Sequence, residues 1–187
     1  MIKLFTNREL SEKLGINLAK WKRWSREFLP SDPLGGMQSG FARQYYFSDA
    51  FNVMLGGYLV GDLKLSVYEA RTIIEDLKDW LMQKGFYQDI DELTDGPTSE
   101  PHIIKYKIFI HHNLDTEKQQ IDFTYRIRGI ISDNLVQHNG IEAREERYVE
   151  TVIGSADRKP DRVEMGYEKV LNITSLYTFF IGKLGYS

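Results

Sequence analysis

The residues of this chain that could do chemistry fall into three groups: a run of cations within Leu14–Arg26, four histidines, and a crowd of carboxylates after residue 140. The first group, LGINLAKWKRWSR, places Lys20, Lys22, Arg23 and Arg26 on a short stretch beside Trp21 and Trp24. Guanidinium and ammonium groups of this kind bind phosphates and base edges. The histidines are His102, His111, His112 and His138. His111 and His112 are adjacent, so on a strand they point to opposite faces. On a loop both could reach a metal, but no acid stands at a familiar ligand spacing, and no metal site is expected. Glu142, Glu145, Glu146 and Glu150 read as a solvated face. No serine sits in a G-x-S-x-G setting, and Gly35-Gly36 and Gly56-Gly57 match no phosphate-binding loop. Nothing here asks for catalysis, and the chain is read as a non-enzyme without a cofactor.

The cations need a scaffold, and their neighbours supply one. Thr6 and Glu9 form a T-x-x-E capping box that starts a helix over residues 7–13, with Leu10 and Leu14 on its buried side. Gly15 provides a turn that needs positive φ. Asn17 is a good N-cap for a second helix over residues 18–26. On that helix Leu18, Trp21 and Trp24 share one face, while Ala19, Lys20, Lys22, Arg23 and Arg26 fall largely elsewhere. Two short helices across a tight turn make a helix-turn-helix arrangement. A helix packed on one side and cationic on the other suits a major groove. After Leu29-Pro30 comes a loop rich in Gly, Ser and Pro. It ends in Gly40-Phe41-Ala42-Arg43-Gln44-Tyr45-Tyr46-Phe47, which reads as the returning strand of a hairpin, or wing, with Phe41, Arg43 and Tyr45 on one side.

In these residues, and onward through Phe47-Ser48-Asp49-Ala50-Phe51 and Leu59 to Leu65-Ser66-Val67-Tyr68-Glu69, the chain resembles the DNA-binding domain of MerR-type transcription regulators. The similarity covers roughly residues 4–77. It implies a winged helix-turn-helix that binds duplex DNA as a dimer. Lys20, Lys22 and Arg23 would then face the groove, Arg43 and Tyr45 would meet phosphates from the wing, and Asn17, Ala19 and Arg26 would complete the contact surface. Phage excisionases and small terminase subunits carry similar modules, so a mobile-element DNA-binding protein is the rival reading, and a protein–protein adaptor on the same scaffold is a third.

Charge distribution fits this. The whole chain carries −3, yet residues 1–46 hold eight Lys/Arg against four acids, leaving −7 on the remainder. Positive charge is collected where the motif lies. The chain has no cysteine, which removes disulfides and thiolate metal sites and separates it from the metal-sensing members of the family it resembles. No long apolar run suggests a membrane span and no export signal is evident, so a cytoplasmic location is expected.

Farther on, Ser48 is a candidate N-cap for a core helix reaching Gly61, with Gly56-Gly57 suggesting close approach of another backbone. Ser66 and Glu69 form a second capping box, and the apolar stripe Ala70, Ile73, Ile74, Leu77, Trp80, Leu81 should end near Gly85. No heptad follows. Instead residues 87–101 carry five acids, no bases, two prolines and a glycine, and read as an acidic linker. Beyond it the period changes to 2. Residues 104–110 and 121–127 alternate as a hairpin, residues 147–153 and 167–173 read as further strands, and Ser175 could cap a last helix bearing Leu176, Phe179, Phe180 and Leu184. The expected architecture is α+β: a winged helix-turn-helix domain over 1–86, and a small antiparallel sheet with a C-terminal helix over 102–187. Aromatics on that sheet could line a small-molecule pocket, but large residues also build cores and dimer interfaces. The second reading is preferred, with self-association through residues after Tyr87.

Overall fold

The computed structural model describes residues 3–31, 43–88, 103–115, 120–154 and 167–186, with side chains described in those ranges except at 113–115, 120, 121 and 138. It is a mixed helix-and-sheet fold in two compact units. The first comprises residues 1–95 and 176–187, the second residues 96–175.

In the first unit, β1 (Phe5–Thr6) leads into α1 (Asn7–Leu14), then α2 (Leu18–Phe28), β2 (Gln44–Tyr45), α3 (Phe47–Gly61) and α4 (Val67–Gln83). Both capping boxes form. Thr6 Oγ1 accepts from the Glu9 amide at 3.3 Å while Glu9 returns a carboxylate to the Thr6 amide at 3.0 Å, and Ser66 and Glu69 do the same for α4. Gly15 ends α1 at φ 67°, a left-handed conformation that glycine takes without strain. The α3 helix starts earlier than Ser48 because Asp49 caps it, accepting from the Tyr46 amide at 3.2 Å. β2 pairs antiparallel with β1, Phe5 opposite Tyr45, so the returning strand closes against the start of the chain. Phe41 and the rest of the expected hairpin lie outside the described residues, as does most of the expected acidic linker.

Gly56 and Gly57 have a reason, and it is not an approaching backbone. A β-carbon on Gly57 would fall inside the Trp24 indole, and one on Gly56 would lie 2.5 Å from the Phe28 ring. Two aromatic rings of α2 therefore lie flat on the bare surface of α3. The remaining core gathers Phe47, Phe51, Trp80, Phe86, Tyr177 and Phe180, with Phe51 and Phe180 centroids 5.3 Å apart and Phe86 and Tyr177 5.2 Å apart. Tyr177 and Phe180 belong to α5 (Ile173–Leu184), which begins two residues before Ser175. The last helix thus completes the core of the N-terminal unit. The sequence had grouped it with the sheet because an amphipathic stripe does not name its partner.

The second unit is a four-stranded antiparallel sheet in the order β5-β4-β3-β6, formed by β3 (Lys105–Asp115), β4 (Gln120–His138), β5 (Ile141–Ile153) and β6 (Glu168–Leu171). One face is apolar: Ile108, Ile110, Phe123, Tyr125, Ile127 and Leu171 are buried. Gly129 on this face leaves room for the Ile103 side chain. The other face is a ladder of ion pairs: Lys105–Asp133, Lys107–Glu146 at 2.5 Å, Arg126–Glu168 at 2.5 Å, Arg128–Glu150 at 2.7 Å and Arg144–Asp133 at 2.5 Å. β4 and β5 continue as a two-stranded ribbon to a turn at Asn139-Gly140, both with positive φ (51° and 80°), which matches the twist of a tight hairpin.

Two outcomes test this packing. Gly57→Ala should gain about 1 kcal/mol of helix propensity but lose more to overpacking against Trp24, roughly 1–3 kcal/mol, so urea denaturation should show net destabilisation. On the sheet, Asp133 accepts hydrogen bonds from Arg144 and Lys105, which hold its carboxyl well below the usual 3.8. A depressed folded-state pKa stabilises the fold fully above that usual value and progressively less as pH falls beneath it. Asp133→Asn should therefore flatten the acid limb of the stability–pH curve.

Candidate nucleic-acid interface

The α2 helix is fixed at every side but one. At its start Asn17 Oδ1 accepts from the amides of Ala19 at 2.9 Å and Lys20 at 3.3 Å, satisfying two of the free donors of a helix N-terminus. Trp21, Trp24, Ser25 and Phe28 form the buried stripe, while Leu18 is only half-buried. Ser25 Oγ is 2.7 Å from the hydroxyl of Tyr45, which in turn donates to Asn7 Oδ1 at 2.6 Å. At the C-terminal end two carbonyls are taken by side chains from later helices. Asn52 Nδ2 donates to Phe28 O at 2.8 Å, and Arg71 Nε donates to Glu27 O at 2.7 Å. Arg71 also pairs with the Glu27 carboxylate at 2.6 Å. The Tyr87 hydroxyl donates to Asn52 Oδ1 at 3.0 Å, and burial, with Glu75 nearby, pushes its pKa well up. An open groove of ≈ 520 Å³ lies beside this clamp, lined in part by Asn52, Arg71, Glu75 and Asp76.

The remaining side faces solvent. At ~100° per residue, Ala19, Lys22, Arg23 and Arg26 lie together opposite the buried stripe, and all four are exposed. Among the described residues, none of Lys22, Arg23 and Arg26 forms an ion pair. Lys20 is also exposed but stands at the flank, its ammonium 4.6 Å from the Trp24 ring centroid. The structure thus brings together Ala19, Lys22, Arg23 and Arg26, with Lys20 at the edge and Asn17 at the N-terminal end, its side-chain oxygen occupied by capping.

Arg43 and Tyr45 behave differently. Arg43 is half-buried, donates to Pro30 O at 2.9 Å and lies over the Tyr45 ring at 5.7 Å. Its guanidinium ties together the two ends of the segment between α2 and β2. Tyr45 is 1% exposed and its hydroxyl is engaged by Ser25 and Asn7, so it is a core residue with no surface to offer a phosphate. Alternation along the strand predicted which side Tyr45 faces but not that the side is the interior. The contributions of Asn7, Ser25, Asn52 and Arg71 have no local signature in the sequence, since each acts on an element up to 44 residues away.

Among the described residues no group of three or more His, Cys, Asp or Glu is arranged to hold a metal, and no helix is long and apolar enough to cross a membrane. Comparison with models of known protein families and with curated proteins gives no match.

Tyr45→Phe should leave the buried Ser25 hydroxyl and the half-buried Asn7 Oδ1 short of a partner, at a cost of about 1–3 kcal/mol. Chemical denaturation should register that loss. Affinity for any nucleic acid, measured where the variant is still folded, should stay unchanged.

Proposed function

We propose that the N-terminal unit is a winged helix-turn-helix and that the chain is a sequence-specific duplex DNA-binding transcription regulator resembling the MerR family, acting as a homodimer. The observation that carries this reading is the exposed face of Lys22, Arg23 and Arg26 on α2, without ion pairs among the described residues. Such cations repel one another, and only Arg26, in the last turn, is favoured by the helix dipole, so their clustering is best explained by an external polyanion. The rigid seating of α2 supports the same reading, because groove recognition needs side chains held by packing. Lys22, Arg23 and Arg26 are assigned to the groove and adjoining phosphates, Lys20 and Arg43 to the backbone flanks, Ala19 to close approach, and Asn17 to fixing the helix start. Tyr45 is reassigned to the core.

Backbone contacts position a protein on DNA, whereas base contacts specify the site. After selection of bound sequences from a random duplex pool, Lys22→Ala should cost roughly 1–3 kcal/mol on the selected site and less on random duplex. Arg43→Ala should weaken both about equally and reduce the salt slope by about 1. Fluorescence anisotropy across a salt series measures both. If a folded variant lacking Lys22, Arg23 and Arg26 together binds duplex as the parent does, α2 is not the reading helix.

A further inference from the structure

β5 forms one edge of the sheet, and it is an unusual edge. It runs for 13 residues, against 4 for β6 at the other edge. None of its residues is buried, and it exposes Tyr148, Val149 and Val152. Among the described residues no strand pairs with its outer side. Proteins commonly blunt such edges with short strands, proline, bulges or charged side chains. β5 is long and has no proline, and its charges are of both signs, so a second copy can match them: Glu142, Arg144, Glu145, Glu146, Arg147, Glu150.

We propose that β5 pairs antiparallel with β5 of a second copy about a twofold axis at Arg147, joining two four-stranded sheets into one. Full overlap of the strand, together with charge complementarity, selects this register. A twofold normal to the sheet opposes residues equidistant from the axis, on the same face. Centred on Arg147, each Arg144 opposes Glu150 of the other copy, twice by symmetry, which would extend the Arg144–Asp133 and Arg128–Glu150 pairs of each sheet across the seam. Ile141 opposes Ile153, Ala143 opposes Thr151, and all 13 residues are paired. The like pair, Arg147 with its own copy, has Glu145 at the diagonal position on both strands, within reach of a long side chain. Neighbouring registers are worse. Centring on Glu145 gives the same charge balance, Arg144 opposite Glu146 twice and Glu145 against its own copy, but pairs residues 141–149 alone. Centring on Glu146 sets Glu146 against its own copy and Glu142 against Glu150. Centring on Tyr148 opposes Glu146 to Glu150. Centring on Val149 forms no opposite-charge pair and shortens the overlap. The inference rests on the sheet alone and needs no DNA, though it specifies the interface of the dimer proposed above.

The full chain should sediment at twice its 21.8 kDa mass. The sequence contains no cysteine, so one introduced thiol reports one position. Arg147 is exposed and makes no ion pair among the described residues. Arg147→Cys should give a disulfide-linked dimer on mild oxidation, since opposed β-carbons lie about 4.5–5.5 Å apart. Glu142→Cys, whose copies would lie near opposite ends of the paired strands, should not. Glu150→Arg should weaken the dimer by about tenfold or more, and adding Arg144→Glu should restore it. Each variant is compared at a circular dichroism spectrum matching the parent. A monomeric parent overturns the proposal. So does a dimer in which Arg147→Cys stays unlinked, which would point to another surface of the chain or to another register. Either failure leaves the DNA-binding reading standing.

Discussion

The seating of two α2 rings on two bare glycines of α3 is the contact on which the first unit depends. Trp24 and Phe28 can lie flat only because Gly56 and Gly57 present no β-carbons. That contact fixes the rotation of α2 about its own axis, and the rotation decides which residues face outward. Each glycine lowers helix propensity by about 1 kcal/mol, and α3 carries both in its middle. Burying a tryptophan and a phenylalanine returns several kilocalories per mole. The conflict between local propensity and packing is resolved in favour of packing, as is usual where tertiary contacts supply most helical stability.

Charge is used in opposite ways in the two units. On the sheet, cations of β3 and β4 meet carboxylates of β4, β5 and β6, so the solvated face is closed upon itself. On α2 the pattern is unfavourable to the helix. Lys22 and Arg26 are like charges four residues apart, worth a few tenths of a kilocalorie per mole against the helix. No acid stands in the first turn, where the helix dipole would favour one. The only acid of α2, Glu27, is drawn off by Arg71. A helix so arranged survives because its other faces are anchored by Asn17, the Tyr45 hydroxyl, Asn52 and Arg71.

Much of the local structure was legible in the sequence. The T-x-x-E and S-x-x-E boxes, the Asn17 cap and the glycines at positions 15 and 85 bracket α1, α2 and α4, because caps act over three or four residues and leave a compact signature. The change of period after the acidic stretch located the strands, though β4 and β5 run longer than alternation suggested. Polar residues on a two-stranded ribbon carry no apolar period. The rest was illegible for a physical reason. Tyr45 pointing inward, the rings on Gly56 and Gly57, and the clamp from Asn52 and Arg71 are all long-range choices. Of the cationic residues, the helical period placed Lys20, Lys22, Arg23 and Arg26 away from the apolar stripe, but it could not show that Lys20 would stand at the flank beside Trp24 or that Arg43 would donate to Pro30 O.

The return of α5 to the first unit changes what the chain's domains mean. Residues 96–175 form the second unit, while the segments on either side of them build the first. The sheet is thus an insertion within the helical unit rather than an appendage after it. Phe47 and Phe51 find Phe180 at 5.3 Å and Tyr177 at 6.2 Å and 5.3 Å respectively, and Lys13 donates to the carbonyl of Leu184 at 3.3 Å. These contacts join residues more than a hundred positions apart, and forming them requires closing a long loop. Loop-closure cost grows only slowly with length, and a sheet that folds on itself shortens the effective loop further. The aromatic core of the N-terminal helices is therefore completed by Tyr177 and Phe180 of α5. The cationic face of α2 belongs to a unit whose core is assembled from two segments far apart in sequence.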